Sequence, residues 1–311
     1  MWFSDRCLRQ RPEGTADRSV IMQVSMLNNE IKPESWYNKL QRMDLTEEEK
    51  IMGSSDIIYA DPAGNLTAIV RGGMTDPAER RDLAEKILAS GKAEQVGFEV
   101  PPIMGGDCRL EMMGGEFCGN ATRAYGYLCT SERYDGGRYR LHVEISGAEE
   151  PVLVQVNLDE QTAFARMPVP RGVRMIRVRD EVYPVVHMDG IDHMIVETDV
   201  AAEERGNFVQ EALKAMGAGE LPAAGVMFVS EDKLVPAVYV RETDSLVWES
   251  SCGSGSVATC WYLVKTLTEY DREIYPMVFR EPGGVLQVDA YVENGEIVDM
   301  IMGGSVKISE E

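Results

Sequence analysis

Two of the six cysteines stand in matching surroundings. Glu116-Phe117-Cys118-Gly119-Asn120-Ala121-Thr122 and Ser250-Ser251-Cys252-Gly253-Ser254-Gly255-Ser256 both read Cys-Gly, then Asn or Ser as an N-capping residue, then small residues and an apolar helix. Each half of the chain carries one copy at a strand-to-helix junction, an internal repeat that bears on the whole fold. A helix N-terminus presents unsatisfied N–H groups and partial positive charge. A cysteine placed there has its thiolate favoured. Glycine lets the backbone approach a ligand closely, and the first-turn amides form an anion site suited to a carboxylate. Two such junctions face to face would grip one carboxylate, with a sulfur on either side of the adjacent carbon. That arrangement removes a proton from one face of a stereocentre and returns one to the other.

Three other readings compete. A single cysteine in a reduced protein is by default a small hydrophobe, and Cys7, Cys129 and Cys260 are read so. Gly253-Ser254-Gly255-Ser256-Val257-Ala258 has the form of a GxGxxA dinucleotide fingerprint, but it lacks a clear preceding βαβ strand and a ribose-binding acid. A cysteine hydrolase with His193 as base would use one nucleophile, which leaves the duplication without a reason. The duplication favours two thiols.

Composition narrows the classes further. The 311 residues carry 31 Lys plus Arg against 52 Asp plus Glu, a net charge of −21, which repels phosphate and excludes nucleic-acid binding. Length over roughly 150 residues per domain predicts about two domains. No stretch approaches about 18 consecutive apolar residues, so no membrane span is expected. The N-terminus lacks the apolar run of a signal peptide, which predicts a cytoplasmic protein with reduced thiols. The cysteines form no CxxC pair and His142, His187 and His193 do not share metal-ligand spacing with them, so neither a metal nor another cofactor is expected.

The elements that must position the two motifs follow from local patterns. Residues 1–52 read as a polar N-terminal extension. Beyond them come short strands at 56–60 and 66–70, with Asp61-Pro62-Ala63-Gly64-Asn65 as the turn between. Asp76-Pro77 opens a helix that stops before Gly91. Strands at 96–100 and 109–113 precede a helix over about 121–132, and strands at 139–145 and 152–156 follow it. The later half repeats the order: strands at 182–187, 193–196, 226–229 and 237–241, helices near 207–216 and from Ser254, then strands at 285–288 and 297–302. The pattern predicts an α+β fold with antiparallel pairing, not regular βαβ alternation.

On Pro62-Ala63-Gly64-Asn65, Val96-Gly97-Phe98-Glu99, Cys118-Gly119-Asn120-Ala121-Thr122-Arg123, Gly190-Ile191-Asp192-His193, Ser251-Cys252-Gly253-Ser254-Gly255-Ser256 and Pro282-Gly283-Gly284, the sequence resembles the diaminopimelate epimerase superfamily over about residues 55–311. That resemblance implies two pseudo-symmetric domains, 53–172 and 173–296, each a mostly antiparallel sheet wrapped around a central helix. A C-terminal strand at about 297–311 would return to the first domain. The site would lie between the domains, with Cys118 and Cys252 as the acid/base pair. The amides of Gly119, Asn120, Gly253 and Ser254 would cradle the α-carboxylate, Asn65 would contact substrate and His193 would lie beside it.

Departures from the epimerase pattern bear on substrate. Ile191 and Gly225 replace two Asn residues that read the distal end of diaminopimelate, and the Asn expected upstream of Cys118 is missing. Tyr59 to Thr67, with Glu116 to Thr122, looks most like the histidine racemases of staphylopine-type metallophore synthesis. The resemblance makes Glu99 a candidate partner for a cationic or NH-bearing side chain. The expectation is a cofactor-independent amino-acid racemase acting on histidine or another basic amino acid. Diaminopimelate epimerisation, or a non-racemising isomerase or binding role on the same fold, stands as the alternative. The partner is a small-molecule amino acid, and a homodimer is left open.

Overall fold

The computed structural model describes residues 57–267 and 269–310. The expected N-terminal extension and Cys7 lie outside them. The first half runs β1 (Ile57–Asp61), β2 (Thr67–Val70), α1 (Pro77–Ala89), β3 (Gln95–Val100), β4 (Cys108–Met112), α2 (Gly119–Ser131), β5 (Arg138–Ile145), β6 (Val152–Asn157) and β7 (Thr162–Met167). The second runs β8 (Gly172–Val178), β9 (Glu181–Met188), β10 (Ile191–Val196), α3 (Arg205–Met216), β11 (Ala223–Ser230), β12 (Lys233–Val240), β13 (Ser245–Trp248), α4 (Gly253–Lys265), β14 (Ile274–Glu281) and β15 (Gly284–Glu293). Then β16 (Glu296–Ser305) joins β15 to β7, and β17 (Lys307–Glu310) pairs with β1.

The sheet is mixed, mostly antiparallel as expected, with parallel pairs that the sequence did not indicate. Antiparallel hairpins dominate, but β2 and β3 are parallel across α1, and β4 and β5 are parallel across α2. In the second half β10 and β11 are parallel across α3, and β12 meets β14 in parallel at Lys233 and Arg280 across β13 and α4. Helices of about a dozen residues supply the crossovers that parallel neighbours need. The strand before α4, β13, runs antiparallel to β12, so the glycines after it do not sit in a dinucleotide-binding βαβ unit. β7, β8, β13 and β14 are absent from the sequence expectation, and the single C-terminal strand expected at about 297–311 is two strands, β16 and β17. In β14, Pro276 interrupts the pattern, and the strand tolerates it because its pairing beyond β15 is a single bridge.

Among the described residues the four α-helices divide into two kinds. In α1 only Ala84 and Ile87 are buried, against Tyr59, Val96 and Phe98. α3 buries one face, with Phe208, Val209, Ala212, Leu213 and Met216 inward. α2 is buried at every position from Gly119 to Thr130, among Ile58, Leu110, Leu141, Val143 and Val154. α4 is buried through most of its length against Met227, Leu234, Phe279, Leu286 and Met302. A helix covered all round is core. Its N-terminus is then held rigidly, and both Cys-Gly motifs open such helices. Among the described residues no helix is long and apolar enough to cross a membrane.

Candidate active site

Both motifs fold the same way locally, and not with the caps that the sequence suggests. Cys118 and Cys252 themselves are the N-caps, in extended backbone at φ −130°, ψ 109° and φ −123°, ψ 97°. Asn120 and Ser254 fall inside the first turn. The Ala121 amide donates to Cys118 Sγ at 3.4 Å, so this sulfur performs the capping that a hydroxyl or carboxylate usually performs. The two helix starts converge. A β-carbon at Gly119 would lie 3.0 Å from the Met302 methyl, and one at Gly253 2.6 Å from the same methyl. The latter would also lie 3.8 Å from Asn120 Nδ2, on the opposing helix. Glycine at both positions lets α2 and α4 meet end to end over Met302.

Around Cys118 the groups come from β1, β3 and the loop between β1 and β2. The thiol lies 3.9 Å from Asn65 Oδ1, which also accepts from Gln95 Nε2 at 2.5 Å. Asn65 Oδ1 is thus occupied, and its Nδ2 is the donor left to meet a ligand. The Asn65 loop is set by Gly64, whose φ of +103° is in the left-handed region. A β-carbon there would lie 2.6 Å from the Gly283 carbonyl carbon. The Pro62 and Pro282 landmarks therefore interlock beside the site, with no room for a side chain. Burial pushes Cys118 up to about 11, opposed by the Ala121 amide and Gln95 and reinforced by Glu116 and Glu249.

Around Cys252 the neighbours are acidic. Its amide donates to Glu281 Oε2 at 2.5 Å, and Glu281 Oε1 accepts from the Ser256 hydroxyl. Burial raises Glu281 to about 8. Half-buried Glu249 bonds the Cys252 thiol, is raised by burial to about 7, and is pushed further by Glu94. Burial, then Glu249 and Glu281, drive Cys252 well above the ordinary thiol range. Ser254 Oγ lies 3.7 Å from Cys252 Sγ and 2.9 Å from His193 Nε2. His193 is fully buried and burial lowers it to about 3, so the ring is neutral. Among the described residues its Nδ1 has no partner, and a β-carbon at Gly225 would collide with it. An unpartnered acceptor is cheaper than an unpartnered N–H, so Nε2 carries the hydrogen and Ser254 Oγ accepts it. The Ser254 hydroxyl is then free to point at Cys252.

Asn65, Gly119, Asn120, Gly253 and Ser254 are thus brought to the two sulfurs, and His193 reaches Cys252 through Ser254. Glu99 is not brought there. It is a buried strand residue, 5 % exposed, 3.2 Å from Tyr125 Oη and 3.6 Å from Arg71 Nε. It shares a face of β3 with Gln95 but lies four residues on, about 13 Å along the strand. Burial raises its carboxyl against the pull of Arg71 and Tyr125. Gln95, Glu249, Glu281 and Arg123 are site residues without a role in the sequence reading. The available signals were weak: Glu249 lies three residues before Cys252, and Glu281 directly precedes Pro282-Gly283-Gly284. Surface cavities of about 260 and 350 Å³ lie elsewhere, beside Phe208 and beside Arg174. Among the described residues no group of three or more His, Cys, Asp or Glu could hold a metal ion.

The chain is similar to known proteins in sequence and in fold. Histidine racemase from Fusobacterium nucleatum subsp. nucleatum (strain ATCC 25586) is 31% identical over 266 residues, covering 82% of this chain and 94% of that protein. Histidine racemase from Staphylococcus aureus (strain Mu50) is 27% identical over 242 residues, covering 73% and 85%. The fold is shared with a hydroxyproline epimerase from Agrobacterium vitis, at TM-score 0.61 and 10% identity over 83% of this chain and 90% of that one. It is also shared with a PhzF-family protein from Bacillus anthracis, at TM-score 0.57 and 14% identity over 83% and 98%. Residues 56–311 match the histidine racemase CntK N-terminal domain, and the chain belongs to that family.

Proposed function

We propose that the protein is a cofactor-independent amino-acid racemase that works with Cys118 and Cys252 as an acid/base pair, and that histidine is its substrate. The observation that carries this reading is the convergence of two Cys-capped helix starts on one methyl group, that of Met302. The first-turn amides of Gly119, Asn120, Gly253 and Ser254 have no carbonyl one turn back to bond. They receive the α-carboxylate, and the two helix dipoles stabilise the charge it gains as the α-proton leaves. Asn65 Nδ2 adds a side-chain donor. One thiolate takes the proton, the opposite thiol delivers its own to the other face, and the charge ends on the second sulfur. Glu249 lies near both thiols and Glu116 near Cys118, a carboxylate setting that suits a basic amino acid.

The repeated crossovers support two pseudo-symmetric domains, 53–172 and 173–296, wrapped around α2 and α4, with the C-terminal strands returning to the first. The setting that suits free thiols is a reducing cytoplasm.

Incubation of L-histidine in D₂O tests the reading. Deuterium should enter at Cα with formation of the D-enantiomer, and diaminopimelate should stay unlabelled. Cys118→Ser and Cys252→Ser should each abolish net racemisation. Full turnover in both variants removes the two-thiol mechanism, and preferential labelling of diaminopimelate removes the substrate.

A further inference from the structure

The two cysteine motifs are alike in sequence, yet the charges around them are not. Beside Cys118 stands Arg123, a guanidinium with 0 % exposure. Its donors go to neutral acceptors: Nε to Asn120 Oδ1 at 3.1 Å, Nη2 to Pro62 O at 2.6 Å, and Nη1 to Gly304 O and Ser305 O at 3.2 and 3.1 Å, with Ala163 O at 3.5 Å. Among the described residues no carboxylate lies within ion-pair distance of it. A buried charge without a counter-ion is costly, and neutral donors could tie the same carbonyls. The anionic groups that act on this charge are Cys118 first, then Asp61 and Glu281 at longer range, and Arg123 lies one to two turns down the helix that Cys118 caps. Arg123 also settles which way Asn120 faces. A guanidinium only donates, so Oδ1 points at Arg123 and Nδ2 points toward the opposing helix start.

Cys252 has the opposite surroundings. Its sulfur bonds Glu249, its amide bonds Glu281, and behind Ser254 the His193 ring is neutral. No cation corresponds to Arg123, because the matching position of α4 is Val257.

We propose that Cys118 is the first of the two thiols to ionise and serves as the initial base, with its charge held by Arg123, the Ala121 amide and Gln95, while Cys252 stays protonated as the acid. This rests on the two-thiol reading above. Facing Cys118 are Glu116, Glu249 and Arg123; facing Cys252 are Glu249 and Glu281, so the carboxylate common to both does not set the order. Arg123 is a positioning residue that reaches the reacting atoms through Cys118 and Asn120.

Thiolate absorbance followed against pH tests the order in substrate-free full-length protein, comparing wild type with Cys118→Ser and Cys252→Ser. The step lost with Cys118→Ser should lie at least about one pH unit below the step lost with Cys252→Ser. Equal midpoints, or the reverse order, overturn the proposal. Arg123→Met should raise the Cys118 midpoint, and Arg123→Lys should restore most of it. A Cys118 midpoint unmoved in a folded Arg123→Met protein removes Arg123 from the account, and if that variant does not fold the wild-type order still decides. The D₂O exchange assay separates the two failures. Loss of labelling in both serine variants with a reversed ionisation order sinks only this assignment, whereas retained turnover in both sinks the two-thiol reading itself.

Discussion

Replacing Glu281 with Gln isolates the carboxyl that binds the start of α4. In the folded protein its oxygens accept from the Cys252 amide and the Ser256 hydroxyl, and the group is 7 % exposed. Burial raises it from 4.5 to about 8. A raised carboxyl binds its proton more tightly folded than unfolded. Its contribution to stability is therefore fully present below pH 4.5 and is lost as pH rises through about 8. At about 1.4 kcal/mol for each pH unit, the change across this window is on the order of 5 kcal/mol. Glutamine keeps the shape and cannot ionise. Glu249 titrates in the same direction in both proteins, and the part of the difference that it adds comes through its charge coupling to Glu281, which has the same sign. Urea unfolding of wild type and Glu281→Gln from about pH 5 to about pH 9 should show wild type losing stability relative to the variant as pH rises. A difference constant within about 1 kcal/mol, or one that grows with pH, refutes the idea that the fold holds this carboxyl neutral.

Two further perturbations follow from contacts at the site. Gly64→Ala meets both a left-handed φ of +103° and the Gly283 backbone, and should cost about 2 kcal/mol or more by urea unfolding. Gly72→Ala, at φ +92° with nothing within 4 Å, measures the backbone strain alone, and equal losses at both positions would refute the interlocked loops. Ser254→Ala leaves the buried His193 Nε2–H without its acceptor at 2.9 Å and should cost about 1–3 kcal/mol. Ser254→Thr should recover most of it. The His193 ring signals in NMR spectra should stay flat over the neutral range, since burial lowers the group to about 3, and a titration near neutrality would refute the neutral buried ring.

The legible parts of the chain are those where local chemistry and tertiary position agree. Asp76-Pro77 specifies a helix start by itself, and the structure places Asp76 as N-cap with its carboxylate on the amides of Ala78 and Glu79. The Cys-Gly motifs are legible because glycine followed by small residues has few uses besides a close helix approach. Their register was two residues off: Asn and Ser are strong caps by propensity, yet each cysteine takes the cap because its backbone is the extended one. Strand pairing was illegible for a different reason. A short apolar strand looks the same whether its neighbour is parallel or antiparallel, and the crossover helix decides. Glu99 entered only through the resemblance, and the local sequence of its strand does not say which end of the strand meets Cys118.

The charge around the site could not be read locally either, and here the sequence repeat is misleading. Residue types at the two junctions suggest two equivalent thiols. The groups that distinguish them arrive from elsewhere: Arg123 from within α2, where it bonds carbonyls 61 and 182 residues away, and Glu281 from the end of β14, 29 residues beyond Cys252. A duplicated motif can therefore keep matched geometry, which proton transfer to opposite faces requires, while its surroundings diverge. Divergence of this kind has a use. Two identical thiols in one low-dielectric site would compete for a single proton with no preferred state, whereas a buried cation beside one of them fixes where that proton rests. Each turnover of a racemase moves the charge from one sulfur to the other. The return step that restores the resting form must then run against the field in one direction and with it in the other. The imbalance should appear as unequal maximal rates for the two enantiomers, with the Haldane relation keeping the overall equilibrium at unity through compensating KM values.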